Sequence, residues 1–440
     1  MIKKTFFLLS CLLLQSALFA QINIFSTNPT AEQVLLGNYD PADYAVSEDI
    51  VDPAVITDNI RNGISTDSLK NYLIRLSDFK NRNTGSDTIS TTRGIGAARR
   101  WVYQKFQEIS RENNNRLLPS YLEFTQLICD LNTHRNVFAV LPGRDTSDLG
   151  YIIIEGHIDS RCEDVCDIDC LAEGSEDNAS GTALVVELAR VMSQYSFDRT
   201  IVFMATIGEE QGLLGATAFA RWADRNEMAI KAVLNNDIVG GIICGETSSA
   251  PSCPGLNHVD STQVRLFSSG SNLSPHKGLA RYIKLQYRDQ LFPIVDVPML
   301  LTIMSAEDRT GRGGDHIPFR LRGYPAMRFT SANEHGNANA ASPDYHDRQH
   351  SIRDILGVDT DGDNVIDSFF VNLNYLARNA AINGTAAAMI SNSPLTPTFE
   401  VSEEDGIVEI TVDDPEEYGA YCLGVRTNRT DFDTIIHFSG

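Results

Sequence analysis

Short apolar runs, each followed by a turn that carries an ionisable residue, constrain this chain more than any other feature. Residues 136–141, 151–155, 200–206 and 232–235 read as buried strands, and 264–268, 298–304 and 326–330 supply more. Helical patterns separate some of them. Residues 181–194 place Leu184, Val185, Leu188, Ala189 and Met192 on one face, and 216–225 continue similarly. This alternation predicts an α/β fold: a mixed, largely parallel central sheet flanked by helices. Ligands in such folds gather beyond the C-terminal ends of the strands.

Five residues fall at those ends: His157, Asp177, Glu210, Asp237 and His316. Each alone has a mundane explanation, such as a capping Asp or a solvated turn. Their convergence on one edge of one sheet points to a metal site. Two histidines and three carboxylates suffice for two zinc ions if one carboxylate, Asp177, bridges them. His157 and Asp237 would hold one ion, Glu210 and His316 the other. Two catalytic residues accompany them. Asp159 can reach the imidazole N–H of His157 and fix its tautomer. Glu209, beside a ligand, is placed to act as general base and then as acid. No His-Glu-x-x-His helix and no Gly-x-Ser-x-Gly elbow occurs, so helix-borne zinc protease and serine esterase designs are disfavoured.

The balance of the chain excludes other classes. The net charge is −22, falling to −24 if a leader with Lys3 and Lys4 is lost. Nucleic acid and anionic membrane surfaces are disfavoured partners. Residues 1–20 read as a secretory signal: Lys3 and Lys4, an apolar run over 6–14, then Ala17-Leu18-Phe19-Ala20 before the cut. A secreted or periplasmic protein is implied, and no later stretch is apolar enough to span a bilayer. Seven cysteines then remain, an odd number for pairing. Cys162, Cys166 and Cys170 suit a loop staple better than a metal cluster, and Cys244 with Cys253 is the expected bonded pair.

Residues 21–64 are polar and proline-punctuated and read as an N-terminal extension or pro-segment. Regular structure is expected from Ser65-Thr66-Asp67, a helix start, with a second helix over 94–109. The catalytic domain spans 65–392 and is closed by a helix over 367–390. Residues 393–440 alternate in hydropathy and form a small C-terminal β appendage.

The motifs resemble metallopeptidase family 28, dizinc exopeptidases that include bacterial leucyl aminopeptidases. The matching stretches are His157-Ile158-Asp159, Glu176-Asp177-Asn178-Ala179-Ser180-Gly181, Gly208-Glu209-Glu210-Gln211-Gly212-Leu213-Leu214-Gly215, Asn236-Asp237 and Asp315-His316-Ile317-Pro318-Phe319. Asn81-Arg82-Asn83-Thr84-Gly85 and Asn136-Val137 add to it. The resemblance covers about 65–390. It implies a zinc exopeptidase fold, peptide substrates, Glu209 as acid/base, and the five ligands above with Asp177 bridging. There are departures. Three cysteines occupy the loop after His157, Glu176 stands where a second Asp is common, and Tyr345-His346-Asp347 replaces a Tyr-His-Thr segment.

Asp359, Asp361, Asp363 and Asp367 alternate in a Gly- and Asn-bearing loop. Either a calcium loop or an acidic helix-capping loop fits that pattern. The leading functional expectation is an aminopeptidase. A carboxypeptidase or dipeptidase on the same scaffold is the alternative and would need a cationic clamp, for which Arg309, Arg312 and Arg328 are candidates. A glutaminyl cyclase would carry Trp where this chain has Asp315. A metal-free binding protein would require broken ligands. The sequence leaves the oligomeric state open.

Overall fold

The computed structural model describes residues 22–47, 49–244, 258–308, 312–331, 348–394, 397–413, 418–427 and 429–439. Its centre is a nine-stranded sheet in the order β1-β2-β3-β5-β4-β6-β9-β7-β8. The strands are β1 (Ile22–Ser26), β2 (Leu118–Ile128), β3 (Leu131–Leu141), β4 (Tyr151–His157), β5 (Thr200–Thr206), β6 (Ile230–Asn236), β7 (Gln263–Ser268), β8 (Leu300–Ile303) and β9 (Ala326–Ser331). The middle is parallel: β4 pairs with β5 and β6, and β6 with β9. Antiparallel pairs β1–β2, β2–β3, β3–β5 and β7–β9 flank it.

Every residue of β4 and β5 is buried, as expected of strands covered on both faces. The register aligns their ends. His157 lies opposite Thr206, and Glu155 opposite Asn235. The loops leaving β4, β5 and β6 therefore emerge side by side. Helix Ser180–Met192 packs on this layer almost wholly buried. Its close seat depends on two glycines. A Cβ on Gly181 would stand 2.1 Å from the Asn236 carbonyl oxygen, and one on Gly156 would stand 2.8 Å from the Gly181 carbonyl carbon. Larger residues at either position would push the start of this helix, and Asp177 with it, off the sheet edge.

The segment expected to be an extension contributes to the core. Strand β1 pairs with β2, and Ala31, Val34, Leu35, Ile56 and Ile60 are fully or almost fully buried. Its prolines start helices rather than break them: Pro29 opens Pro29–Leu35 under an Asn28 cap, and Pro53 opens Pro53–Gly63 under an Asp52 cap. Helix Thr66–Asp78 starts under its Ser65 cap, and the next helix runs Gly94–Glu112. The closing helix is shorter at its start than expected. It runs Leu373–Ser391 from an Asn372 cap, because residues 357–369 form a small hairpin instead.

Beyond it, the appendage consists of two hairpins, Thr398–Glu404 with Ile407–Asp413 and Ala420–Val425 with Thr434–Ser439. The second meets helix Pro275–Gln286 through Lys284–Asp431, through Arg281 donating to the Thr430 carbonyl, and through Arg281 over the Phe432 ring. No helix among the described residues is long and apolar enough to cross a membrane. Cys162–Cys170 staples the loop after β4, and Cys166 bonds to Cys129 at the β2–β3 turn. Cys253, the expected partner of Cys244, lies outside the described residues, and Cys422 is a free, exposed thiol.

Ile60 tests the place of the N-terminal segment. A Cβ on Gly384 would lie 2.8 Å from its side chain, so the two helices pack tightly there. Ile60→Ala is expected to lower unfolding free energy by about 2–5 kcal/mol in chemical denaturation. A change within about 0.5 kcal/mol, as for a surface residue, would place this segment outside the cooperative core.

Candidate metal centre

The pocket at the ends of β4, β5 and β6 is small, about 180 Å³. Its walls include Arg161, Asp177, Glu209, Glu210, Asp237 and His350. His157, the last residue of β4, is fully buried behind two of these carboxylates. Its Nε2 lies 3.1 Å from Asp177 Oδ1 and 3.4 Å from Asp237 Oδ1. The opposite nitrogen, Nδ1, meets the Asp159 backbone carbonyl at 3.1 Å and the Asp159 carboxylate at 3.6 Å. Asp159 is itself held by Thr84 Oγ1 and by the Glu210 backbone N–H.

Asp177 sits in the short turn before helix Ser180–Met192, and its backbone is pinned from below. Its N–H and that of Glu176 both donate to the buried Asp354 carboxylate at 2.9 Å. Asn178 reaches across to the Asn236 carbonyl at the end of β6. Fully buried Arg82 donates to carbonyls of Ile158, Leu76, Glu173 and Gly174, tying the loop after β4 to this turn. The Asn81–Gly85 motif thus builds the floor under the site. Glu176 turns away to accept the Gly241 N–H.

Glu209 and Glu210 follow β5 in a tight turn in which Gly212 and Leu213 N–H groups bond back to the Glu209 carbonyl. Donor atoms of His157, Glu209 and Asp237 approach one another, as do those of His157, Asp177 and Glu210. Asp237 follows β6, and its second oxygen lies 3.2 Å from Arg328.

His316 is not in this cluster. It opens helix His316–Arg320, and among the described residues its nearest carboxylate is Glu307, 3.8 Å away. Burial and the neighbouring Arg328 and Arg320 hold its pKa well below the usual value and keep its imidazole neutral. Another imidazole, that of His350, stands beside the cluster. That residue's Nε2 lies 3.1 Å from Asp177 Oδ2 and 3.2 Å from Glu210 Oε2. His350 lies in a turn at φ 55°, with no strand before it to mark it in the sequence. Tyr345 and His346 lie outside the described residues, as does Arg309.

The electrostatics are those of crowded carboxylates. Burial pushes the Glu209 pKa well above the carboxylate range, against the pull of His157. Burial also opposes charging of His157, but Glu209, Asp159, Asp177 and Asp237 prevail and hold its pKa well above normal. Asp177 goes the other way. Despite burial, His157 and His350 keep it well below the ordinary value. The donor set fits a metal on one further observation: His157 Nε2, Glu210 Oε1 and Asp237 Oδ1 are buried without a hydrogen-bond partner. A cation is what such a set lacks.

The Asp-rich loop is the turn of the 357–369 hairpin. The carboxylates of Asp359, Asp361 and Asp367 gather at the surface, while Asp363 accepts the Val365 N–H. It caps no helix.

Imidazoles and carboxylates converging at strand ends of an α/β sheet define a metal-dependent hydrolase. Residues 136–250 match the family model described as "Peptidase family M28". A probable zinc metalloprotease of Pyrenophora tritici-repentis is 31% identical over 355 residues, 77% of this chain and 77% of its own length. One from Pyricularia oryzae is 32% identical over 335 residues, 73% of this chain and 63% of its own. The chain spans 58% of a third, from Pyrenophora teres f. teres. The chain belongs to peptidase family M28 and is a zinc metallopeptidase. Solved structures share the fold. The LapA aminopeptidase of Legionella pneumophila superposes with a TM-score of 0.55 at 18% identity, covering 80% of this chain and 78% of that one. Porphyromonas gingivalis glutaminyl cyclase does so at 0.50 and 16%, covering 73% and 97%.

Metal removal is the direct check on the donor set. Zinc at about a hundredfold over its Kd adds about 2.7 kcal/mol of apparent stability to the state that binds it. The melting temperature of chelated protein is therefore expected to rise on zinc addition. An unchanged melting temperature across that titration would contradict a zinc site built from these buried donors.

Proposed function

We propose that the chain is an exported exopeptidase of the aminopeptidase type, with two zinc ions held by His157, Asp177, Glu210, Asp237 and His350. One observation carries this reading: the two oxygens of Asp177 face two different imidazoles, Oδ1 at 3.1 Å from His157 and Oδ2 at 3.1 Å from His350. A carboxylate so placed would serve both ions of a pair. His157 and Asp237 complete one side, Glu210 and His350 the other. Zinc bound there supplies a water of lowered pKa and a Lewis acid for the scissile carbonyl.

The chain's own groups do the rest. Glu209, held above the ordinary carboxylate range by burial, takes the proton of the attacking water and returns it to the leaving amine. The Asp159 backbone carbonyl accepts from His157 Nδ1–H and leaves Nε2 as the donor toward the pocket. A substrate α-amine finds carboxylate acceptors in a pocket lined by Asp177, Glu209 and Asp237. The leader-like residues 1–20 and the two disulfides among the described residues support export. A carboxypeptidase or dipeptidase is the second reading, favoured by the arginines in the same pocket.

A panel of free, N-acetylated and C-terminally amidated peptides separates these readings. An aminopeptidase releases N-terminal residues from free peptides and leaves acetylated ones intact. Release of C-terminal residues from N-acetylated peptides would overturn the aminopeptidase assignment. Glu209→Gln is expected to keep its zinc and lose about 10²–10⁴-fold in kcat. Ordinary turnover in that variant would remove Glu209 from the chemistry. His350→Ala is expected to lose zinc while His316→Ala retains it, read by elemental analysis. The reverse outcome would restore His316 as the ligand.

A further inference from the structure

A second cavity shares no lining residue with the pocket of the carboxylates. It is walled by helix Pro53–Gly63, helix Leu373–Ser391 and the segment that joins helix Pro275–Gln286 to β8. Its volume is about 350 Å³. Most of the wall is apolar. Leu291, Met299, Ala381 and Ile382 line it from buried positions, and Val297, which is exposed, adds to it.

Two polar side chains enter this wall with hydrogens to spare. Arg378, half-buried on helix Leu373–Ser391, donates from Nη2 to the Ser261 carbonyl at 2.6 Å and from Nε to the Met299 sulfur at 3.4 Å. It also stands over the Tyr375 ring, 6.0 Å from its centroid. Its Nη1, with two hydrogens, has no acceptor among the described residues, and no carboxylate there pairs with it. Arg61 in the same cavity differs, since Asp58 holds it at 2.8 Å. Burial lowers the Arg378 pKa, and the neighbours that oppose this are the phenols of Tyr375 and Tyr287 rather than acids. Tyr287 is the second polar group. Its hydroxyl oxygen accepts the Met299 N–H at 2.5 Å, which fixes the end of the segment before β8. The hydroxyl hydrogen is left for another acceptor.

These groups define a ligand chemistry. A partly buried guanidinium without an anion loses hydration and recovers none of it from a partner. Its planar N–H fork matches a carboxylate, and a phenol donor in the same cavity adds a hydrogen bond to that anion. One such cation suits a monoanion better than a phosphate. The apolar wall calls for a hydrocarbon body. The volume stands at the low end of small-molecule pockets, which run from about 300 to 1,000 Å³, so that body is short.

We propose that this cavity binds a small apolar monocarboxylate, with the carboxylate on Arg378 Nη1 and the Tyr287 hydroxyl and the hydrocarbon against Leu291, Met299 and Ile382. The ligand is either a plain short-chain acid or a free apolar amino acid. Asp296, exposed on the same wall and without an ion pair among the described residues, offers a partner to the ammonium group of the latter. The site stands apart from the proposed peptide hydrolysis and does not depend on it.

Titration calorimetry on zinc-loaded full-length protein tests this with 4-methylpentanoate, its neutral amide and leucine. The favoured acid is expected to bind about 10- to 100-fold more tightly than the amide. Tighter binding of leucine identifies an amino acid as the ligand, and tighter binding of 4-methylpentanoate a plain acid; both support the carboxylate site. R378Q is expected to weaken the acid by a similar factor and R378K to keep part of the affinity. Y287F is expected to cost about 3- to 10-fold. A377L fills the cavity from the helix without changing a charge and is expected to abolish binding, which keeps the test decisive where R378Q fails to fold. An acid that binds R378Q and A377L as well as the unaltered protein sits elsewhere, on the zinc ions for example, and overturns the proposal. So does equal binding of acid and amide, or no binding of either acid at millimolar concentration.

Discussion

Four carboxylates share one small pocket at a single sheet edge beside a fully buried histidine, and the surrounding structure is organised to tolerate that crowding. Like charges taken from water repel one another and lose hydration, and neither loss is recovered unless a cation is present. The protein meets the cost partly with its own groups. Arg328 faces Asp237, Arg161 faces Glu210, and His157 and His350 face Asp177. Buried acceptor atoms on His157, Glu210 and Asp237 remain without hydrogen bonds. That residue of unmet demand is what bound zinc would satisfy.

Holding the donors in place falls to backbone geometry more than to side-chain packing. Parallel pairing of β4 with β5 and β6 brings three loop origins to one line. Gly156 and Gly181 let the following helix press against the sheet, so the Asp177 turn sits directly over the strand ends. Asp354 and Arg82 then lock that turn by its own N–H and C=O groups. Because those locks act on backbone, they fix the position of Asp177 while leaving its carboxylate available.

Much of this was legible in the sequence. Runs such as 200–206 are apolar on both faces and bounded by turns, so the strands and the carboxylates that follow them could be placed without coordinates. His350 could not. It has no strand before it and is brought in by the turn at 348–351, so only tertiary packing reveals it. The Asp315-His316 pair has the local look of a ligand motif, but its imidazole stands near Glu307, outside the described cluster. The regular structure of the N-terminal segment was not legible because its prolines look like breakers, whereas they stand at first helical turns, where proline costs no hydrogen bond. Cysteine spacing alone could not choose Cys129 for Cys166, since the two lie 37 residues apart.

The account depends on Asp177 joining two ions, one held with His157 and the other with His350. Anomalous diffraction at the zinc edge from crystals of metal-replete protein examines that directly. Two zinc peaks are expected, both in contact with Asp177, with His157 at one and His350 at the other. A single peak, or a second peak ligated by His316 in place of His350, would contradict it.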